Sequence, residues 1–247
     1  MSLARISLGG AVRQQYRFKL RTYANLYLSL VAVQVIALLF SAGGVGAIGM
    51  GWNNINIELK FFSGAVLFVF TALWIAFNSF ILTLPFNRNI DFSFVTSRLS
   101  SNLANIAFLV TAAIAGGITA VLGLLLQRNI FYYTGAGEQL LEANFSVAPG
   151  ELFTGMAVAV LYLLLFSAAG YFAGALIQLH RLLYVVLPAL LLGALFYEAA
   201  HEFPRLLQVI DFFRFETSPP LFILKIVLSV LLLWAGAALL SNRIEIQ

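Results

Sequence analysis

Six stretches of the chain, 27–49, 61–84, 103–126, 152–178, 182–199 and 221–241, run for 18 to 27 residues with almost no charge. A helix rises 1.5 Å per residue, so about 20 apolar residues cross the roughly 30 Å hydrocarbon core of a bilayer. Burial in a water-soluble core is not open to these segments. Of 247 residues, 62% are hydrophobic and 10% charged, and a chain of this size buries only about three-quarters of the surface it exposes when unfolded. The remainder would aggregate in water, so the solvent is lipid. That excess excludes a soluble enzyme, a nucleic-acid binder and a disordered scaffold, and the 14 cations form no dense run. The chain has no cysteine, which excludes disulfides, zinc-thiolate sites and thiol catalysis together. Barrel strands would alternate with a period of two, and the six stretches do not. The expected fold is an all-α polytopic membrane protein of one domain, 1–247, with six transmembrane helices.

Orientation follows from the cations. Arg5, Arg13, Arg17, Lys19, Arg21, Arg88, Arg98, Arg181 and Arg243 fall on one side with only Asp91 and Glu245. The other side holds Lys60, Arg128, Arg205, Arg214 and Lys225, outnumbered by eight acids, among them Glu138, Glu142 and Glu151. Both termini are therefore expected in the cytoplasm of a cell-membrane protein. The gap at Leu179–Arg181 makes the fourth and fifth spans a tight antiparallel pair. Region 1–25 places Arg13, Arg17 and Arg21 at i, i+4, i+8, beside Tyr16, Phe18, Leu20 and Tyr23. This predicts a helix in the headgroup plane with its basic side outward, an uncleaved anchor rather than a signal peptide.

Several motifs carry no chemistry. Gly44-Val45-Gly46-Ala47-Ile48-Gly49 spells G-x-G-x-x-G, but at the end of a span, without the strand and helix that hold a pyrophosphate. Gly170-x-x-x-Gly174, with Ala169 and Ala173, reads as a helix-packing face. No P-loop sequence occurs, so the chain does not itself hold ATP. Glu198, His201 and Glu202 share a helix face, yet a carboxylate-bridged metal site needs a second such motif from facing helices. No metal is expected, and Asn144-Phe145-Ser146 reads as a chance sequon. The polar residues inside the spans, Gln34, Asn78, Ser79, Asn105, Thr111, Thr119, Ser167 and Ser229, are uncharged. Proton-coupled carriers and intramembrane hydrolases carry ionisable groups at this depth, so catalysis and ion-driven transport are disfavoured. Lys225, one turn inside the last stretch, is expected to snorkel.

The connection 85–100 is longer than two spans require. It joins Ile90, Phe92, Phe94, Val95 and Leu99 to Arg88, Asp91 and Arg98. Aromatics flanked by Arg make an interface anchor, here on a short helix capped by Asn89 or Asp91. Before the last span, 198–220 carries eight large apolar residues from Phe203 to Phe215, interrupted by Arg205, Asp211 and Arg214. Pro204 can start a short helix and Pro219-Pro220 must end whatever precedes the sixth span. A re-entrant outer segment meets these constraints.

Taken with the basic amino-terminal helix and the six spans, these segments resemble the membrane subunits of type-2 ABC exporters over the whole length. The resemblance implies that 86–100 is the coupling helix seated in a groove of a separate ABC ATPase, through Arg88, Asp91, Phe92, Phe94 and Arg98. It implies a second permease, identical or paralogous, and a path lined by spans two and five, pointing to Asn78, Ser79 and to Pro188 as a hinge. It implies no cofactor on this chain, with ATP on the partner subunit. A path walled by Phe, Leu and neutral polar groups suits an amphipathic or lipid-like cargo better than an ion. Glu198, His201 and Glu202 would rim the outer mouth, with His201 titrating near a pH of roughly 6.5. Unlike exporters that deliver to an outer envelope, no large outer domain interrupts the spans. Two other classes compete: a six-span substrate-capture subunit of an importer, which would need a closed polar pocket, and an intramembrane enzyme, which would need a convergent nucleophile and base.

Overall fold

The structure, a computed structural model, describes residues 7–42, 46–52, 55–61, 65–87, 97–133, 148–179, 182–200, 212 and 218–243. Helices dominate: α1 (Leu8–Thr22), α2 (Ala24–Ala42), α3 (Ala65–Thr83), α4 (Arg98–Tyr133), α5 (Pro149–Ile177), α6 (Leu183–Ala200) and α7 (Pro219–Arg243). Between α2 and α3 lie two short extended segments, β1 (Gly46–Trp52) and β2 (Ile55–Phe61), paired antiparallel from Gly46 opposite Phe61 to Trp52 opposite Ile55. Five helices, α2, α3, α4, α5 and α7, are long and apolar enough to cross a membrane. α6 has 18 residues, about 27 Å at 1.5 Å per residue, just under the hydrocarbon thickness.

The helix starts follow local chemistry. Ser7 caps α1, its Oγ accepting from Gly10 N at 3.3 Å. At α4 the cap is reciprocal. Ser100 N donates to Ser97 Oγ at 3.2 Å and Ser97 N donates to Ser100 Oγ at 3.1 Å, a capping box built from two serines. α5 and α7 both open on proline, Pro149 and Pro219, where the missing N–H costs nothing. α5 also carries Glu151 in its first turn, favourable against the helix dipole.

The expected boundaries need three corrections. The first span ends at Ala42 rather than 49, and Gly46 and Gly49 lie inside β1. The glycine motif is thus outside the span, and it is followed by a second strand rather than the helix that a phosphate site requires. Ile55, Ile57, Leu59 and Phe61 alternate with Asn56, Glu58 and Lys60, a seven-residue period of two overlooked among the long apolar runs. α4 begins at Arg98, so 98–100 belongs to its first turn and not to the preceding connection. It runs 36 residues, about 54 Å, well beyond the bilayer core.

The chain folds as two compact units. The first comprises Met1–Lys19, Ala76–Leu109 and Leu164–Gln247, the second Leu20–Ile75 and Val110–Leu163. α3, α4 and α5 contribute a segment to each.

In the second unit, small residues bring α4 against its neighbours. A Cβ added at Gly117 would lie 2.6 Å from Val160 Cγ2 and 3.0 Å from Val160 N on α5. One added at Gly123 would lie 2.7 Å from Leu67 Cδ2 on α3. Polar side chains then tie the helices together. Gln34 Nε2 donates to Thr119 Oγ1 at 2.9 Å and faces Thr71 Oγ1 at 3.4 Å, joining α2 to α4 and α3. Trp74 Nε1 donates to Ser29 Oγ at 2.9 Å, and Gln127 donates to Ser41.

In the first unit the expected small-residue face of α5 is realised by its glycines. A Cβ at Gly170 would overlap Ala76 O, and one at Gly174 would overlap Thr83 Oγ1 and lie 2.9 Å from Phe80 O. The backbones of α3 and α5 therefore touch. Ala169 is exposed, outside this contact. Gln178 adds a bond to Thr83 O from the end of α5.

Burial follows the same logic. Ala37, Ala72, Ala104, Ala112, Ala113, Ala168 and Ala237 are buried beside larger residues such as Leu67, Ile75, Phe108 and Leu163, while Leu28, Leu39, Leu73, Phe77, Val185, Phe196 and Leu232 are exposed. Small residues at the helix contacts and many large apolar side chains turned outward fit helices solvated by lipid. On α1, Arg13, Arg17 and Arg21 are exposed as expected, but Gln15 and Lys19 are buried, so the inner face of α1 is polar rather than aromatic.

Replacing Gly170 with Leu forces α3 and α5 apart. Overpacking of this kind costs about 1–3 kcal/mol, and G170L should lower the thermal midpoint of the detergent-solubilised protein. Gly155, with nothing within 4 Å of an added Cβ, is the control: G155A should leave the midpoint unchanged or slightly raised.

Candidate functional site

The first unit buries several polar side chains within its apolar packing, three of them joined by hydrogen bonds. α4 supplies Ser101, Asn102 and Asn105, α5 supplies Ser167 and Tyr171, and α3 supplies Ser79 and Thr83, all buried. Helical spacing makes this possible: Asn102 and Asn105 stand three apart on α4 and face the same neighbour. Tyr171 OH donates to Asn102 Oδ1 at 2.8 Å and accepts from Asn105 Nδ2 at 3.2 Å. Because the hydroxyl proton goes to Asn102, the nitrogen of Asn105 must face Tyr171. Asn105 Oδ1 is left buried and without a partner.

The remaining small hydroxyls behave differently. Thr83 bonds Phe80 O at 2.7 Å, Ser167 bonds Leu164 O at 3.0 Å and Ser229 bonds Lys225 O at 2.8 Å. Such bonds to the previous turn satisfy the hydroxyl within its own helix.

Of the residues expected to line a path, Ser79 is fully buried and Asn78 half-buried on α3, in the segment that touches α5. Pro188 lies within α6 on its exposed side. Its ring nitrogen cannot donate to the carbonyl of Tyr184, so that turn lacks one hydrogen bond. Of the coupling residues, Arg88, Asp91, Phe92 and Phe94 lie outside the described residues. Arg98 is half-buried and its Nη1 donates to Ser241 O at 3.3 Å. A guanidinium on the last carbonyls of α7 also complements the negative end of that helix dipole.

At the other expected site, Glu198 falls within α6, while His201 and Glu202 lie outside the described residues. Most of the proposed re-entrant segment is also outside them; Phe212 is described and exposed. Lys225 sits half-buried on α7 with Nζ 4.3 Å from the centre of the Phe212 ring, a cation–π contact. Among the described residues, no group of three or more His, Asp or Glu side chains is placed to hold a metal ion.

Sequence reasoning found Asn105 but missed Tyr171 and Asn102, which complete its network. Tyr171 sits between the two glycines of the packing motif, and its hydroxyl is hidden within an apolar run. Asn102 lies at the expected edge of a span, where a polar residue attracts no notice. No family model, curated protein or solved structure matches this chain.

The Tyr171 hydroxyl is the hub, so Y171F should leave both asparagines unpaired and destabilise by about 1–3 kcal/mol. Combined with N102L and N105L, the same change should cost much less. A double-mutant comparison by detergent unfolding measures this coupling.

Proposed function

We propose that this chain is the membrane-spanning permease subunit of an ATP-driven exporter of the type-2 ABC class, working as a pair with a separate ATPase on each subunit. The observation that carries the reading is the character of the interior. Among the described residues, the buried polar side chains of the five spans are Ser, Thr, Asn and Gln together with the Tyr171 hydroxyl and the indoles of Trp74 and Trp234, and none is acidic or basic. Such an interior offers hydrogen bonds but no group that changes its charge near neutral pH, which argues against proton- or ion-driven work. The work must then enter from outside the membrane, through a partner.

The connection 88–96 is where the sequence offers a grip, with Phe92 and Phe94 beside Arg88 and Asp91. Closure of the ATPases pushes these connections, and the permease pair rocks between two states of access. In this reading six helices cross the membrane, α6 included, with both termini cytoplasmic, α1 in the headgroup plane and 198–220 capping the outer mouth. Exposed Leu, Phe and Val on the spans, together with a neutral polar interior, suit an amphipathic or lipid-like cargo. α7 and α4 share the Arg98–Ser241 bond, so force reaching the first turn of α4 is delivered to the end of α7 as well.

Gentle detergent extraction of the tagged chain should retain an ATPase bearing a P-loop. Replacing Phe92 and Phe94 with Ala should weaken that retention about 30-fold, the loss of one interface hot spot of about 2 kcal/mol, with the fold intact. Full retention and normal transport in the double variant would show that the connection is not the grip. Orientation is tested separately. A cysteine at Glu142 should react with an impermeant thiol reagent added outside intact cells, and one at Ser97 should not.

A further inference from the structure

Gln15, Asn105, Ser218 and Trp234 of the first unit each bury a polar atom without a partner, and two of them are complementary. Asn105 is 4% exposed and its Oδ1, an acceptor, receives no hydrogen bond. Trp234 is 8% exposed and its Nε1–H, a donor, gives none. Each belongs to a helix of the same small cluster. α4 begins where α7 ends, joined by Arg98 Nη1 to Ser241 O. Asn105 lies seven residues into α4 from Arg98, and Trp234 lies seven residues back along α7 from Ser241. At 1.5 Å per residue both stand about 10.5 Å from the shared anchor.

α5 closes the triangle at that level. Tyr171 bonds Asn102 and Asn105 on α4. Its neighbour Phe172 packs on α7, where a Cβ added at Gly236 would meet the ring at 3.0 Å. Gly236 is two residues from Trp234. An acceptor and a donor are therefore left over at one depth, among three mutually packed helices, and leaving either dry costs about 1–3 kcal/mol. An indole N–H cannot accept and this amide oxygen cannot donate, so the group that satisfies both must do the reverse at each end.

We propose that a neutral hydroxyl group binds between α4, α5 and α7, accepting from Trp234 Nε1–H and donating to Asn105 Oδ1. Water and the hydroxyl of a lipid headgroup share this chemistry. A carboxylate or phosphate does not fit, because the Asn105 oxygen would repel it. An ammonium does not fit, because it has nothing to accept the indole proton.

The indole N–H itself reports the outcome. The full-length protein, labelled with ¹⁵N at its indoles, contains Trp52, Trp74 and Trp234, and W234F assigns the third resonance. In phosphocholine-detergent micelles, which carry no hydroxyl, a bound water predicts a downfield, hydrogen-bonded Trp234 proton with a cross-peak to water. A lipid hydroxyl instead predicts that position only after phosphatidylglycerol is added, with cross-peaks to glycerol protons. In either case N105L should move the Trp234 resonance upfield. The Trp74 resonance, held by its bond to Ser29, should stay in place and show that the fold survives. An upfield Trp234 proton in both preparations, or a downfield one that N105L leaves unmoved, would overturn the proposal.

Discussion

Contact between backbones, made possible by missing side chains, is the constraint on which the packing of these helices depends. In lipid there is no hydrophobic force pressing helices together, because the acyl chains are as apolar as leucine. What remains is dispersion, which falls away with small gaps, and hydrogen bonds that the lipid cannot offer. Gly170 and Gly174 place α5 directly on the carbonyls of α3, Gly117 sets α4 against the backbone of Val160 on α5, and Gly123 makes room for the Leu67 side chain of α3. Once those distances are set, short polar side chains can reach across, and they do: Gln34 to Thr119, Trp74 to Ser29, Tyr171 to Asn102.

The two kinds of contact therefore depend on one another. A larger residue in the glycine positions would move the helices beyond reach of a serine or asparagine, and the polar groups would then be stranded in hydrocarbon. The same logic explains why the buried polar groups of the spans are uncharged, the buried Lys19 lying outside them on α1. A neutral hydroxyl or amide can be satisfied by one or two partners, whereas a buried charge would need a counterion that the packed interior has no room to solvate.

Much of this was legible in the sequence because lipid imposes a length. Runs near twenty apolar residues predicted the positions of α3, α5 and α7 to within a few residues, and the Gly170–Gly174 spacing predicted a close contact. Three features escaped. The period-two run Ile55–Phe61 is only seven residues long and sits between far longer apolar runs, whose signal swamps its alternation. The start of α4 at Arg98 depends on two serines capping each other, a pattern that carries none of the usual Glu or Asp signal. The Asn102–Tyr171–Asn105 network spans two helices far apart in sequence, and no local pattern announces which hydroxyl will meet which amide. Lys19 and Gln15 show the limit of reading one helix face: charge spacing placed Arg13, Arg17 and Arg21 outward, but it did not reveal that α1 turns a polar face inward.

The central claim is that each span packs one face against its neighbours and turns the other, rich in large apolar side chains, to lipid. Spin labels on single cysteines along α2 test it most directly, because the chain has no native cysteine to remove. In reconstituted vesicles, access of dissolved oxygen should peak at Leu28, Val31, Val35 and Leu39, which are exposed, and fall at Leu30 and Ala37, which are buried. A water-soluble nickel chelate should be excluded from every one of these positions. Nickel access at Val31 or Val35, or an oxygen profile without the helical period, would contradict the account.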